Sequence, residues 1–232
     1  MTQSTSTQQQ PENTTDSKNR PITIDAKLIP HDAKAVVFDC DGTLVDSMPA
    51  HFIAWSHVAS RYNFSFPEDL FYEWGGITAR QIIKDLAEQQ NLGELPVDEI
   101  ITEKGAFLAK YEEDHALEAV AEVVAHLHYL REHRPDVKLA VCSGGERKTV
   151  MRALNILKLD TAWFGAIVTS EDYPKGKPEP DAYLVTAQKL GVEPKYCVGV
   201  EDTNTGLKSI EAAGYMKGID VRDLRKSTQK KE

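Results

Sequence analysis

The sequence predicts an α/β fold in which a parallel sheet is covered by helices on both faces and interrupted once by an all-helical insert. Two patterns lead there. Short apolar runs alternate with helical periodicities along the second half of the chain, the signature of a parallel sheet. A first apolar run, Ala35-Val36-Val37-Phe38, stands apart from the others, separated from them by a stretch with helical spacing and no strand pattern.

Taken in order, residues 1–20 are polar and almost devoid of aliphatic side chains, so they cannot bury enough surface to offset chain entropy; this segment is expected to be a disordered tail. Residues 21–47 form the first part of the core, ending in the strand at Ala35. Ala50, Ile53, Ala54, His57 and Val58 then recur at helical spacing, and further helical patterns cover about 78–90 and 96–112, so 48–117 reads as a helical cap. The second part of the core, 118–222, starts with a helix at about 118–133 and the strand 137–142. A helix at 147–157 and a strand at 166–169 follow. A helix at 181–190 closes on Gly191, strand 197–200 follows, a helix at 205–213 closes on Gly214, and 216–219 is a short last strand. Residues 223–232 read as a basic, solvated C-terminal tail.

The 232-residue length suits one large domain, or a core with a smaller insert. A formal net charge of −9 disfavours nucleic-acid partners, whose binding rests on Lys and Arg neutralising phosphates. No apolar run approaches bilayer length, and the N-terminus lacks the basic and apolar regions of a secretory signal, so a cytoplasmic protein without membrane partners is expected. Cys40, Cys142 and Cys197 lack metal-type spacing, adjoin core strands and read as reduced, buried thiols.

The chemistry begins where the first strand ends, in Asp39-Cys40-Asp41-Gly42-Thr43-Leu44-Val45-Asp46-Ser47. Two carboxylates beside a buried strand cost solvation energy unless a cation or a substrate uses them. At i and i+2 in extended chain they project to one side, and Gly42 allows a sharp turn immediately afterwards. Asp39 fits a nucleophile and Asp41 a proton donor and acceptor, splitting a displacement at phosphorus into two steps through a covalent aspartyl intermediate. An anion attacking a phosphate needs countercharge, and Mg²⁺ is the natural candidate because it takes oxygen ligands from carboxylates and phosphate together.

Ligands of such a sheet bind beyond the carboxyl ends of the strands, so the other strands should end in polar groups as well. The second ends in Ser143-Gly144-Gly145 at a helix N-terminus, an anion site in which Ser143 donates its hydroxyl and Gly144 its backbone N–H. Lys177, between Gly176 and Pro178, offers a positive point charge on a rigid loop. Asp202, assisted by Glu201, would complete an oxygen-rich metal site with Asp39 and the backbone carbonyl of Asp41. An exposed basic turn and acidic helix caps are the bland readings of these last two. The order and placement of all four motifs favour one site.

Asp39-Cys40-Asp41-Gly42-Thr43, Ser143, Lys177 and Glu201-Asp202 together resemble the four-motif pattern of the haloacid dehalogenase superfamily. Gly-Lys-Pro-Glu-Pro-Asp at 176–181 and Val-Glu-Asp-Thr at 200–203 resemble its β-phosphoglucomutase-like branch of sugar-phosphate phosphatases and mutases. The resemblance implies a Rossmann-like parallel sheet core with an inserted α-helical cap domain, Mg²⁺, and phosphoryl transfer from a small phosphorylated metabolite.

Within that branch a phosphatase acting on a phosphorylated sugar or sugar acid is expected, with a hexose-phosphate mutase as the alternative and a catalytically silent binding protein as the non-enzymatic one. The mutases typically carry Arg at the position of Ala79. Here Arg80 lies one residue further on, turned by about 100° around the helix. His51 is expected near Asp41 as an aid to proton transfer. Lys104 reads as a solvated lysine, and Trp55 and Trp74 read as packing between cap and core.

Overall fold

The computed structural model describes residues 14–15, 21–22, 25 and 27–229. The tail expected over 1–20 lies outside these residues except for Thr14–Thr15 (β1), which is not free chain but pairs antiparallel with Pro21–Ile22 (β2).

The main sheet is built from β3 (Ala35–Phe38), β4 (Lys138–Cys142), β5 (Phe164–Val168), β6 (Cys197–Glu201) and β7 (Lys217–Asp220). Its order is β5-β4-β3-β6-β7, and every pairing is parallel. The chain builds outward from β3 on one side, then returns and builds outward on the other, so the order reverses at β3 and crevices open beyond its carboxyl end. Phe38 pairs with Val141 of β4 and Val200 of β6, a register that brings Asp39 level with Glu201 and places Ser143 one residue beyond.

Immediately after β3 come α1 (Met48–Arg61), α2 (Glu68–Glu73), α3 (Ala79–Gln89) and α4 (Val97–Asp114). These helices have an apolar cluster of their own, including Trp55, Val58, Phe66, Phe71, Ile83, Leu86 and Ile100. The buried stripe of α1 runs through Ala50, Ala54, Trp55 and Val58, while Ile53, expected on that stripe, is exposed. At six residues α2 is less than two turns long, too short to show a periodicity. The chain entering this unit and the chain leaving it lie side by side: Asp46 N–H donates to Glu118 at 2.8 Å, and Val120 N–H to Leu44 at 2.9 Å. Residues 118–120 are therefore extended, and the next helix starts later than its periodicity suggests.

That helix is α5 (Ala121–His133), followed by α6 (Arg147–Ile156), α7 (Asp181–Leu190), α8 (Asn204–Ala212) and α9 (Val221–Gln229). The strand period of two explains their distribution. Val36 and Phe38 pack with Leu127 of α5 and Leu154 of α6, whereas Ala35 and Val37 pack with Tyr183 of α7 and Ile210 of α8. All four β3 side chains are buried, as a strand covered on both faces requires. Cys40, Cys142 and Cys197 are buried free thiols.

The basic segment expected to be a tail from 223 onward is instead helical through Gln229; residues 230–232 lie outside the described chain. Its start is anchored by the buried Val221 and by Leu224, which pack on the α5 layer, and by Arg222, whose guanidinium donates to Asp220 and to Asn204 at 2.7 Å. Of the Lys and Arg that suggested a solvated end, Arg225 lies on this helix, 3.7 Å from Asp46.

Asp172 buckles the loop after β5 to its neighbours. It accepts from Thr169 N–H at 2.8 Å, from Arg147 at 2.7 Å and from Lys189 at 2.6 Å. Burial alone would push its carboxyl up, but Lys189 and Thr169 hold it down at about 2. Because this lies below the ordinary 3.8, the stability it supplies is fully present above that value and lost as pH falls through the lower one. Asp172→Asn is expected to lower the thermal unfolding midpoint at neutral pH, with the gap to the parent protein closing as pH is taken from about 4 towards about 2. A gap independent of pH would show that the carboxylate charge is not what holds the loop.

Candidate active site

The chain beyond β3 turns away from the sheet at Gly42, whose φ of +83° suits a residue without Cβ; a Cβ there would also lie 2.2 Å from Asp202 Oδ2. This turn leaves Asp39 at the floor of a cavity of about 870 Å³ enclosed between the strand ends and α1–α4. Asp39, Asp41, His51, Ser143, Gly144 and Lys177 all line it.

Lys177 is fully buried among carboxylates. Its Nζ donates to Asp39 Oδ1 at 2.6 Å, to Glu201 Oε1 at 2.7 Å and to the Cys142 carbonyl at 3.3 Å. Burial would lower the lysine pKa, but Asp39 and Glu201 outweigh it and hold the amine charged. Glu201 is fixed in turn, since its Oε2 accepts from Thr203 N–H and from the Thr203 hydroxyl, both at 2.8 Å. Both Glu201 oxygens are thus engaged, and the residue anchors the lysine. Asp202 uses Oδ1 to accept from Thr43 at 3.0 Å.

Negative charge remains in excess. Carboxylate oxygens of Asp39, Glu201 and Asp202 lie within 4.8 Å of one another. Burial, reinforced by Glu201, pushes Asp202 up to about 7, and burial also raises Asp39 despite Lys177. Three clustered carboxylates carry more charge than one lysine can neutralise, and with Glu201 engaged by Lys177 and Thr203 the oxygens of Asp39 and Asp202 suit a divalent cation such as Mg²⁺. The Asp41 side chain does not belong to this group.

Asp41 instead faces α1. Its Oδ1 accepts from Ser47 at 2.6 Å and lies 3.2 Å from His51 Nε2. Burial would raise this carboxyl, but His51 and the Ser47 hydroxyl hold it well below the carboxylate range. Ser47 is also the N-cap residue of α1, yet its hydroxyl makes no capping bond there and donates to Asp41.

Behind His51, Lys104 Nζ of α4 sits 3.3 Å from Nδ1 and 5.0 Å from the Trp55 ring centroid. Lys104 is buried, contrary to the expectation of a solvated lysine. Burial pulls its pKa down to about 8 against the pull of Asp41 and Glu146. Sequence spacing could not reveal this, because its partners lie about 50 positions away on another helix. Trp55 and Trp74 both line the cavity, and Trp55 also packs edge-on against Phe66. Arg80, on the rim, pairs with Asp98.

Ser143 Oγ accepts from Gly145 N–H at 2.9 Å, leaving its proton free for an anion. Gly144 is required for a reason the sequence did not show. A Cβ at this position would sit 2.6 Å from the Gly76 carbonyl oxygen, because the loop between α2 and α3 rests directly on the strand-end loop. Thr205 closes the same contact by donating to the Gly75 carbonyl.

The chain is similar to known proteins in sequence and in fold. The chain belongs to the haloacid dehalogenase-like hydrolases, whose family model matches residues 33–214. Hexitol phosphatase A of Escherichia coli is 35% identical over 78% of this chain and 80% of its own. Fructose-1-phosphate phosphatase YqaB of the same organism is 30% identical over 82% of this chain and 96% of its own. The crystal structure of a hydrolase from Pseudomonas syringae, 21% identical, superposes with a TM-score of 0.71 over 85% of this chain and 98% of that one, which shows the common fold. Among the described residues no helix is long and apolar enough to cross a membrane.

Gly144→Ala is expected to push the Gly75–Gly76 loop off its seat at an overpacking cost of about 1–3 kcal/mol. Amide hydrogen exchange over residues 75–78 should accelerate about tenfold or more while β3 and β4 stay protected. Unchanged exchange in that loop would mean that the contact carries no closing energy.

Proposed function

We propose that this chain is a Mg²⁺-dependent phosphatase that hydrolyses a small phosphorylated sugar or sugar acid through an aspartyl-phosphate on Asp39. The reading is carried by one observation: Asp39 Oδ1 is held 2.6 Å from a buried Lys177 at the floor of the cavity, with Asp41 on the same wall tied to His51. The names of the hexitol and fructose-1-phosphate phosphatases support the substrate class.

In the first half-reaction an Asp39 oxygen attacks phosphorus and the bond to the sugar oxygen breaks, while a proton handed from His51 through the Asp41 carboxylate goes to the leaving alkoxide. In the second, water attacks the phosphorus of the aspartyl-phosphate; Asp41 takes the water proton, and inorganic phosphate leaves. His51, 3.2 Å from Asp41, is placed to exchange that proton. Lys177, the Ser143 hydroxyl and the Gly144 N–H face the phosphoryl oxygens and offset their charge. Asp39, Asp202 and the Asp41 carbonyl would hold Mg²⁺, which supplies the positive charge that lets an anionic nucleophile approach a phosphate.

Hydrolysis is favoured over the mutase alternative because the Arg80 guanidinium is engaged by Asp98 at the rim. The silent-scaffold alternative is disfavoured by the presence of both Asp39 and Asp41.

With a panel of sugar phosphates, phosphate release is expected only with Mg²⁺, to stop with EDTA, and to fall about a thousandfold or more in Asp39→Asn. Isomer interconversion without phosphate release would replace hydrolysis by mutase activity. Independently of turnover, saturating Mg²⁺ should raise the thermal midpoint of the parent protein, by about 2.7 kcal/mol of stabilisation at a hundredfold excess over Kd, and do so far less in Asp202→Asn. Equal shifts in the two proteins would remove Asp202 from the metal site.

A further inference from the structure

Glu146 occupies an unusual position for a helix N-cap residue. It precedes α6 with extended backbone angles, yet its side chain accepts no capping hydrogen bond. The first amide of the helix has its own partner, since Arg147 N–H donates to Glu171 Oε1 at 2.9 Å. Relieved of capping, the Glu146 carboxylate is exposed to the cavity, which it lines together with Lys104 and Gly105 of α4.

Gly105 supports the same picture from the opposite wall. A glycine inside an 18-residue helix costs about 1 kcal/mol relative to alanine, so its presence calls for a local reason. A Cβ at this position would lie 4.0 Å from Glu146 Oε2, in the space between the carboxylate and the helix. That is an ordinary contact distance, and it shows how near the α4 wall comes to the acid.

Glu146 lies within electrostatic reach of Lys104, but the cations around it have partners of their own. Lys177 is bound to Asp39 and Glu201, Lys104 is 3.3 Å from His51, and Arg80 pairs with Asp98. A carboxylate with unused acceptor capacity, facing open space one residue beyond the Gly144-Gly145 amides, matches hydroxyl donors on the carbon skeleton whose phosphate those amides would hold.

Resting on the phosphatase reading above, we infer that Glu146 is a specificity-determining residue, accepting hydrogen bonds from substrate hydroxyls and repelling a second anionic group. The preferred substrates are then neutral sugar or polyol monophosphates, and phosphorylated carboxylic acids are disfavoured by like charge.

The test compares the parent protein, Glu146→Ala and Glu146→Gln on a hexitol phosphate, phosphoglycolate and p-nitrophenyl phosphate, which has no hydroxyl to read. In Glu146→Ala the ratio of kcat/KM for hexitol phosphate to that for p-nitrophenyl phosphate is expected to fall tenfold or more. In Glu146→Gln, kcat/KM for phosphoglycolate should rise relative to hexitol phosphate. Ratios unchanged within twofold in both variants overturn the assignment, as does a parent protein that prefers phosphoglycolate.

A binding arm separates this inference from the reaction itself. In an Asp39→Asn background, Glu146→Ala should weaken hexitol phosphate tenfold more than it weakens inorganic phosphate, as read by calorimetry; equal weakening overturns the role of Glu146. Absence of phosphate release from every ester with the parent protein would instead overturn the phosphatase reading, and the calorimetric ratio would still decide whether Glu146 reads hydroxyls.

Discussion

A lysine with no exposed surface, clasped by two carboxylates, organises this molecule. Taking Lys177, Asp39 and Glu201 out of water costs several kcal/mol per ion, and only close, well-formed hydrogen bonds at 2.6 and 2.7 Å return it. That demand fixes the surroundings. Glu201 must be held by Thr203, the parallel register must bring β3 and β6 level at Asp39 and Glu201, and the 175–181 loop must reach beneath both strand ends. Replacing either carboxylate alone would strand a buried charge, so the three residues behave as one unit of structure as well as of chemistry.

The centre divides its acids by environment. On the sheet side Asp39, Glu201 and Asp202 crowd together around one lysine, and burial and repulsion raise Asp39 and Asp202. On the insert side Asp41, two residues from Asp39, is held ionised by His51 and Ser47. Two carboxylates almost adjacent in sequence therefore acquire opposite electrostatic surroundings because the chain leaves the strand after Phe38 and bends before Asp41, giving them different neighbours, a separation of the kind that lets one acid bond and another move protons.

The sheet and the strand-end residues were legible in the sequence because each strand carries its own apolar run and each motif sits at a fixed offset from one. What stayed illegible depends on contacts between distant segments. The burial of Lys104 needs His51 and Trp55 from another helix. The reason for Gly144 is the carbonyl of Gly76, and the docking of α9 rests on Val221 and Leu224 within an otherwise charged stretch. α2 was missed for a local reason: six residues carry too few repeats of a 3.6-residue period to stand out.

The paired backbone segments around Leu44–Asp46 and Glu118–Val120 have a further meaning. Because the chain departs and returns through hydrogen bonds to itself, the separation of those two points is set by the core and is indifferent to what is threaded between them. Lengthening the threaded segment changes the cost of closing it only logarithmically. The fold thus carries a socket: the machinery on the sheet can remain untouched while everything that surrounds the rest of the ligand is rewritten, shortened or exchanged as a module.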